Sequence, residues 1–482
     1  MHTKAHLRQD FASSVVVFLV ALPLCVGVAV ASGVPAELGI VTGIVGGLVT
    51  GMMPGSSLQV SGPAAGLTVL VFEAVHAHGL AALGVIVLAT GLLQLGMGAL
   101  RLGRWFRAIS VAVVEGMLAG IGLVLIAGQL YVMTRSSAPA TGVDKILGLP
   151  AMLTHSMSSA SAQASLLLGA GTIAVLLLWS KLPATVRMVP GPLAAVALGT
   201  IAAWGFGLPV ADVEVEGLAA ATQPPTLAEL GKLAETGVLA TVLAFALIAS
   251  CESLFSAAAV DRMHDGPPTH YDKELMAQGV GNTVSGLLGA LPMTAVIVRS
   301  AANVQAGART KASRVMHGGW LLLFAALLPA ALGIIPVPAL AGVLIYAGGK
   351  LIPVKQLVTL WHEQRGESLV LVATAASIVT ISMFEGVLIG LALAVVKAAW
   401  DTSHVRVEII ESGTGPIRAH LSGNATFLRL PKILDRLESL PRDRPVELDL
   451  SQVDHVDHAC RTALDNWAHR HSAAGAHPVK LA

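Results

Sequence analysis

Charge is scarce in this chain. Asp, Glu, Lys and Arg make up 12% of its 482 residues, where a soluble globular protein averages about 25%. With 54% hydrophobic residues it reads instead as a polytopic membrane protein. The formal net charge is +1, so nothing suggests nucleic acid as a partner. Cysteine is rarer still. Cys25, Cys251 and Cys460 lie far apart, which excludes a disulfide framework and offers no metal-ligand spacing. The tail histidines His455, His458, His469, His471 and His477 fit no standard ligand set either, and no metal is expected. There is no G-x-x-x-x-G-K-[ST] run, which argues against an ATP-driven pump, and no other enzyme motif is present. The first apolar segment starts near Phe11 and runs past Pro23 without a convincing cleavage site. It reads as a first span, not a removed signal peptide.

Glycine is abundant, at 50 residues, and lets helices approach closely where no hydrophobic drive brings them together. A helical span takes ~20 mostly apolar residues. On that ruler about fourteen segments are expected, seven in each half. They lie near 11–31, 37–53, 59–76, 79–98, 112–133, 163–181 and 187–207, then near 236–260, 273–291, 294–308, 312–335, 336–352, 366–384 and 385–400. With alternating crossings, Lys4, Arg8, Arg101, Arg104, Arg107, Lys181, Arg187, Arg309, Lys311, Arg314, Lys350 and Lys355 fall on one side. Asp212, Glu214, Glu216, Glu229 and Glu235 fall on the other. The bias makes the basic side cytoplasmic, with both termini there, in a plasma (inner) membrane. Residues 1–400 form the membrane domain. Beyond Trp400 charges become frequent, and 405–410, 416–421 and 446–451 alternate like half-buried strands. Residues 427–440 and 461–471 have helical amphipathicity, so 401–482 is expected to be a small cytoplasmic α/β domain.

Two segments at membrane depth are interrupted. Pro292 to Arg309 begins as a β-branched run, Thr294 to Val298, and continues as a small-residue helix. Leu58 to Leu67 has the same form, with Pro63 opening the helix after Ser61 and Gly62. Extended backbone facing lipid would leave polar groups unpaired, so such breaks belong where protein or a polar cavity surrounds them. A helix starting at a break points free amides and roughly half a positive charge into that cavity, which suits an anion. Paired breaks in the two halves are a sequence pointer to a transporter site. The backbone of Gly62, Ala64, Ala65, Ser300 and Ala301 is expected to supply most contacts, beside Pro63, with the hydroxyls of Ser61 and Ser300 as further donors.

Arg299 has two readings, charge supplied to the anion or a lock paired to a carboxylate, and the first is favoured. Glu252, with Ser256 one turn on, is the other intramembrane charge. It needs a partner, a proton or a cation, so it is a candidate for proton uptake or, with Ser256, for Na⁺. A salt bridge to Arg299 is the structural alternative. Glu115 is read as structural, and Glu73 and Glu385 as interfacial. Asn282 and Asn303 are read as interhelical hydrogen-bonding residues.

LPLCVGVAVASG (22–33), QVSGPAAGLTV (59–69), ASCESLFSAAAVDRM (249–263) and the long GVGNTVSGLLGALPMTAVIVRSAANVQAGARTKAS (279–313) resemble the sulfate permease (SulP) family of anion transporters over nearly the whole chain. The tail resembles a sulfate transporter and anti-sigma-factor antagonist (STAS) domain, shortened. It departs from that pattern at VDHVDHACRTAL, where His458, Ala459 and Cys460 stand in the place of a Ser or Thr, so a phosphorylation switch there is not expected. The resemblance implies an α-helical fold of seven-plus-seven inverted repeat with core and gate domains, a homodimer, and rigid-body movement of the core. It also implies a cation-coupling role for the Glu252 position. The expected function is secondary transport of a small inorganic anion, sulfate or bicarbonate. Na⁺ is the only cofactor-like species expected, as a coupling ion, and membrane lipid the other partner. An uncoupled anion channel, or a nucleobase carrier of the same architecture, is the alternative; Arg299 and the tail speak against the carrier.

Overall fold

A long apolar run closes its backbone hydrogen bonds within one helix, and helices dominate the structure accordingly. The computed structural model describes every residue except 1, 109, 184, 412–414, 475–478 and 482. The first half carries α1 (His2–Ala31), α2 (Ala36–Leu48), α3 (Thr68–His78), α4 (Leu80–Ala99), α5 (Val111–Met133), α6 (Ala160–Trp179) and α7 (Gly191–Gly205). The second carries α8 (Thr236–Asp261), α9 (Tyr271–Leu287), α10 (Ile297–Gln305), α11 (Ala312–Leu327), α12 (Val337–Leu351), α13 (Arg365–Thr380) and α14 (Met383–Thr402). A helix therefore falls in every segment expected from the sequence. Among the described residues seven helical runs are long and apolar enough to cross a bilayer, and four more apolar helices have 10–17 residues.

The two interrupted segments meet. Strand β1 (Ser61–Pro63) pairs antiparallel with β2 (Met293–Ala295), Ser61 opposite Ala295, Gly62 opposite Thr294 and Pro63 opposite Met293. This corrects two expectations. Pro63 ends a strand instead of opening a helix, at a place where a residue without an amide proton costs little. The helix after β2 starts at Ile297, so the β-branched Ile297 and Val298 are helical and Arg299 sits in the first turn. Three amides at the ladder and its edges are taken. The Val296 amide donates to Val60 O at 2.9 Å, the Val60 amide to Ser300 Oγ at 2.9 Å and the Ala295 amide to Ser253 Oγ at 3.2 Å. Extended backbone is thus satisfied by protein at membrane depth.

Glycine makes this crossing possible. A β-carbon on Gly46 of α2 would overlap the backbone of Ser61, and one on Gly47 would lie 2.5 Å from Gly318 Cα. Gly91 and Gly279 bring α4 and α9 to backbone contact in the same way. At the chain's start, Asp10 is buried and accepts from the amides of Arg309 and Thr310 at 2.7 and 3.1 Å, tying α1 to the turn that follows α10.

Residues Ala392–Ala482 fold as a second unit apart from Met1–Leu391. It begins inside α14 because the last turns of that helix pack with the tail. Arg429 lies 4.2 Å over the Trp400 ring, and its Nε donates to Ser403 O at 2.9 Å. The unit is a four-stranded sheet ordered β3 (Val405–Glu411), β4 (Ile417–Ala425), β5 (Val446–Val456), β6 (Lys480–Leu481). The first pair is antiparallel and the others parallel. Helices α15 (Leu430–Glu438) and α16 (His458–Ala474) cover one face, burying Leu421, Leu448, Ile433, Leu464 and Trp467. Cys460 belongs to this core, and burial pushes its thiol up to about 12. Among the described residues no group of His, Cys, Asp or Glu could hold a metal; His477 lies outside them.

Candidate functional site

The half-helices α3 and α10 start on either side of the β1–β2 ladder, at one cavity of about 610 Å³. No side chain caps either start. Ala64 precedes a 3₁₀ turn, Ala65–Leu67, that leads into α3, and Val296 precedes α10. The Leu67 amide already bonds Ala64 O, and the Ser300 amide already bonds Val296 O. That leaves Ala65 and Gly66 at one start, and Ile297, Val298 and Arg299 at the other, as the amides without an intrahelical acceptor. All five residues line the cavity.

The expected donor set therefore shifts. Of the residues expected from the sequence, Pro63, Ala65 and Arg299 line the cavity, while Ser61, Gly62, Ala64, Ser300 and Ala301 do not. The reason is register. The helix begins three residues before Ser300, which spends its amide inside the helix, and its hydroxyl donates to Val296 O at 2.8 Å. Ser61 Oγ accepts from Gln278 Nε2 at 2.8 Å. Gly66, Ile297 and Val298 were not foreseen, because a donor that belongs to the backbone leaves no mark on residue type. Apolar side chains there gave no polar signal.

Arg299 is fully buried. Its Nη2 donates to Pro63 O at 3.2 Å, and Nε and Nη1 find no acceptor among the described residues. The carboxylate lock is not what the geometry presents. The guanidinium crosses from α10 to the end of β1, with the Cys25 thiol beside it. A buried cation with open donors beside two helix starts is a strong anion attractant. Gly62 leaves room for it, since a β-carbon there would overlap Nη1. Gly62→Ala is therefore expected to displace the guanidinium and to raise the half-saturation for the transported anion about threefold to tenfold at equal protein in the membrane. Initial uptake rates against anion concentration check this.

Glu252 lines the same cavity from α8, and Ser256 lies beside it one turn on. Its carboxylate rests against the start of the other half-helix: a β-carbon on Gly66 would lie 2.8 Å from Glu252 Cδ. Oε2 has no hydrogen-bond partner among the described residues. Glu115, read as structural from the sequence, also faces this cavity, as do Lys350 and Lys355 at the side counted as basic. Glu73 and Glu385 line a separate pocket of about 180 Å³ with His78 and Thr241. Asn282 and Asn303 hold the ladder instead of facing the cavity; Asn303 Nδ2 donates to Leu58 O at 2.9 Å. The arrangement can hold a small negative species reversibly and makes or breaks no bond.

The chain as a whole is similar to known proteins. A family model described as the sulfate permease family matches residues 7–374. The sodium-independent sulfate anion transporter of Bos taurus is 25% identical over 495 residues, covering 94% of this chain and 80% of that protein. The transmembrane domain of a cyanobacterial bicarbonate transporter, BicA, matches with a TM-score of 0.69 at 25% identity, over 81% of this chain and 97% of that one. The murine Solute Carrier 26 family member A9 anion transporter, in an inward-facing state, matches with a TM-score of 0.78 over 98% of this chain and 85% of that one. At 15% identity that likeness speaks to the fold alone.

Proposed function

The chain belongs to the sulfate permease family, whose members here are membrane transporters and not enzymes, and on that premise we propose that it is a secondary transporter of sulfate or bicarbonate. The observation that carries the reading is the pairing of two uncapped helix starts around one buried, open-handed Arg299 in a shared cavity. Each start supplies roughly half a positive charge. The anion is held by amides of Ala65, Gly66, Ile297, Val298 and Arg299 and by the guanidinium, with Pro63 fixing the crossing.

The cavity reaches Lys350 and Lys355, on the side the charge bias makes cytoplasmic. This conformation then exposes the site to the cell interior. Alternating access follows if the unit carrying the crossing slides against the rest, in an elevator-type movement of core against gate. The seven-plus-seven inverted repeat, fourteen crossings, cytoplasmic termini, a STAS-like tail from residue 401 and a homodimer belong to the same reading and are supported by the family resemblance.

Glu252 supplies the coupling. An ionised carboxylate against Gly66 occupies the potential that an anion at the α3 start needs. A proton on Glu252, or Na⁺ held with Ser256, removes that competition and favours anion binding, so cation and anion load together.

Counterflow tests the reading. Liposomes containing the full chain and preloaded with unlabelled sulfate or bicarbonate should take up the same labelled anion transiently above equilibrium. With the membrane potential clamped at zero by equal K⁺ on both sides and valinomycin, a channel gives no such overshoot. Absence of overshoot with sulfate, bicarbonate and dicarboxylates, or its inhibition by uracil, would reject the proposal.

A further inference from the structure

We propose that Gln278 and Asn282 of α9 are positioning residues that set the spacing of the two helix starts, an inference that rests on the transporter reading above. Neither residue lines the cavity. They belong to a buried polar stripe, Glu274, Gln278, Asn282 and Ser285, spaced so as to share one helix face. Buried polar groups at membrane depth are retained where something depends on their geometry.

The stripe grips both strands of the crossing. Gln278 Nε2 donates to Ser61 Oγ of β1 at 2.8 Å and to Glu274 Oε1 at 2.8 Å. Glu274 Oε2 in turn accepts from the Ser56 amide at 2.8 Å. One turn along α9, Asn282 takes β2 by both of its groups. Its Oδ1 accepts from the Met293 amide at 2.7 Å, and its Nδ2 donates to Met293 O at 3.1 Å. Nδ2 also donates to Gln94 Oε1 at 2.8 Å, and Gln94 Nε2 reaches Ser250 Oγ at 3.1 Å. A single rigid helix thus fixes Ser61, four residues before Ala65, and Met293, four residues before Ile297. The free amides follow directly from these anchors. Donors aimed at an anion work only within a few tenths of an ångström of about 2.9 Å, so the separation held by α9 enters anion affinity. In this account the Ser61 hydroxyl is an anchor and not a ligand.

The direction of the Gln278–Ser61 bond supplies the test. Gln278→Glu removes the donor and sets two carboxylates one turn apart. The swap Glu274→Gln with Gln278→Glu keeps the charge and restores the chain in reverse. The amide side chain introduced at position 274 accepts from the Ser56 amide and donates to the carboxylate introduced at position 278. That carboxylate in turn accepts from the Ser61 hydroxyl. Initial counterflow rates of labelled sulfate and of labelled bicarbonate are measured against concentration for full-length protein in liposomes. The single variant is expected to raise half-saturation at least about fivefold with the maximal rate per molecule changed less than about twofold, and the swap to return near the starting value. A merely structural role would lower the amount of protein or the maximal rate and leave half-saturation alone. An unchanged half-saturation in the single variant, or a swap no better than it, overturns the inference. Should the single variant fail to reach the membrane, Asn282→Asp, which keeps the acceptor for the Met293 amide but loses the donor to Met293 O, decides in its place: a half-saturation raised severalfold supports the clamp and an unchanged one rejects it. If the unaltered protein moves neither anion, it is the transporter reading that fails.

Discussion

Arg299→Ala raises the half-saturation for the transported anion by about 10- to 100-fold, the equivalent of losing one charged hydrogen-bonding partner at ~1.5–3 kcal/mol. The size follows from burial. Arg299 is shielded from water, and two of its nitrogens have no acceptor among the described residues, so its charge is not neutralised by the protein. The variant also leaves Pro63 O without its donor, which costs stability in its own right. Arg299→Lys separates the two effects. A lysine keeps the charge but not the planar fork that reaches Pro63 O, so it should recover affinity in part and membrane protein in full. Concentration-dependent counterflow, normalised to protein recovered in the liposomes, reads both. A half-saturation within about twofold of the parent in Arg299→Ala would reject the role of the guanidinium.

Glu252→Gln should uncouple transport. The amide copies the neutral carboxylate in shape, so the competition with the anion at Gly66 is removed permanently. Anion exchange is then retained, while an imposed cation gradient no longer drives accumulation and the steady-state ratio falls to that set by the anion alone. In the unaltered protein, varying Na⁺ at fixed pH distinguishes Na⁺ from H⁺ as the partner. Accumulation that still follows the cation gradient in Glu252→Gln would remove Glu252 from the coupling step. Collapse of exchange as well would assign it to holding the site together.

Both predictions name residues that were visible as chemistry before any fold was known. An arginine and a glutamate in apolar surroundings are expensive, and expense of that kind is legible in a sequence. Of the backbone donors only Ala65 was. Gly62, Ser300 and Ala301 were reasonable places for free amides if Pro63 opened one helix and Arg299 preceded the other. The ladder between β1 and β2 draws Pro63 into a strand and lets α10 begin at Ile297. Each start moves by a few residues, and the donor set moves with it. The polar stripe of α9 was partly visible: Asn282 was read as a hydrogen-bonding residue, but its hold on Met293 joins residues distant in the chain.

The sequence by itself determined the membrane class, the positions of the helical segments, the two breaks, the two intramembrane charges and the change of character after Trp400. Composition and apolar periodicity are local properties, and the cost of an unpaired polar group in lipid acts on each residue where it stands. Tertiary structure alone decided that the breaks pair, which amides remain free, that Arg299 reaches Pro63 and that Glu252 rests on the opposite half-helix. Those outcomes depend on register between segments more than two hundred residues apart, and a shift of one residue there turns every donor to a different face.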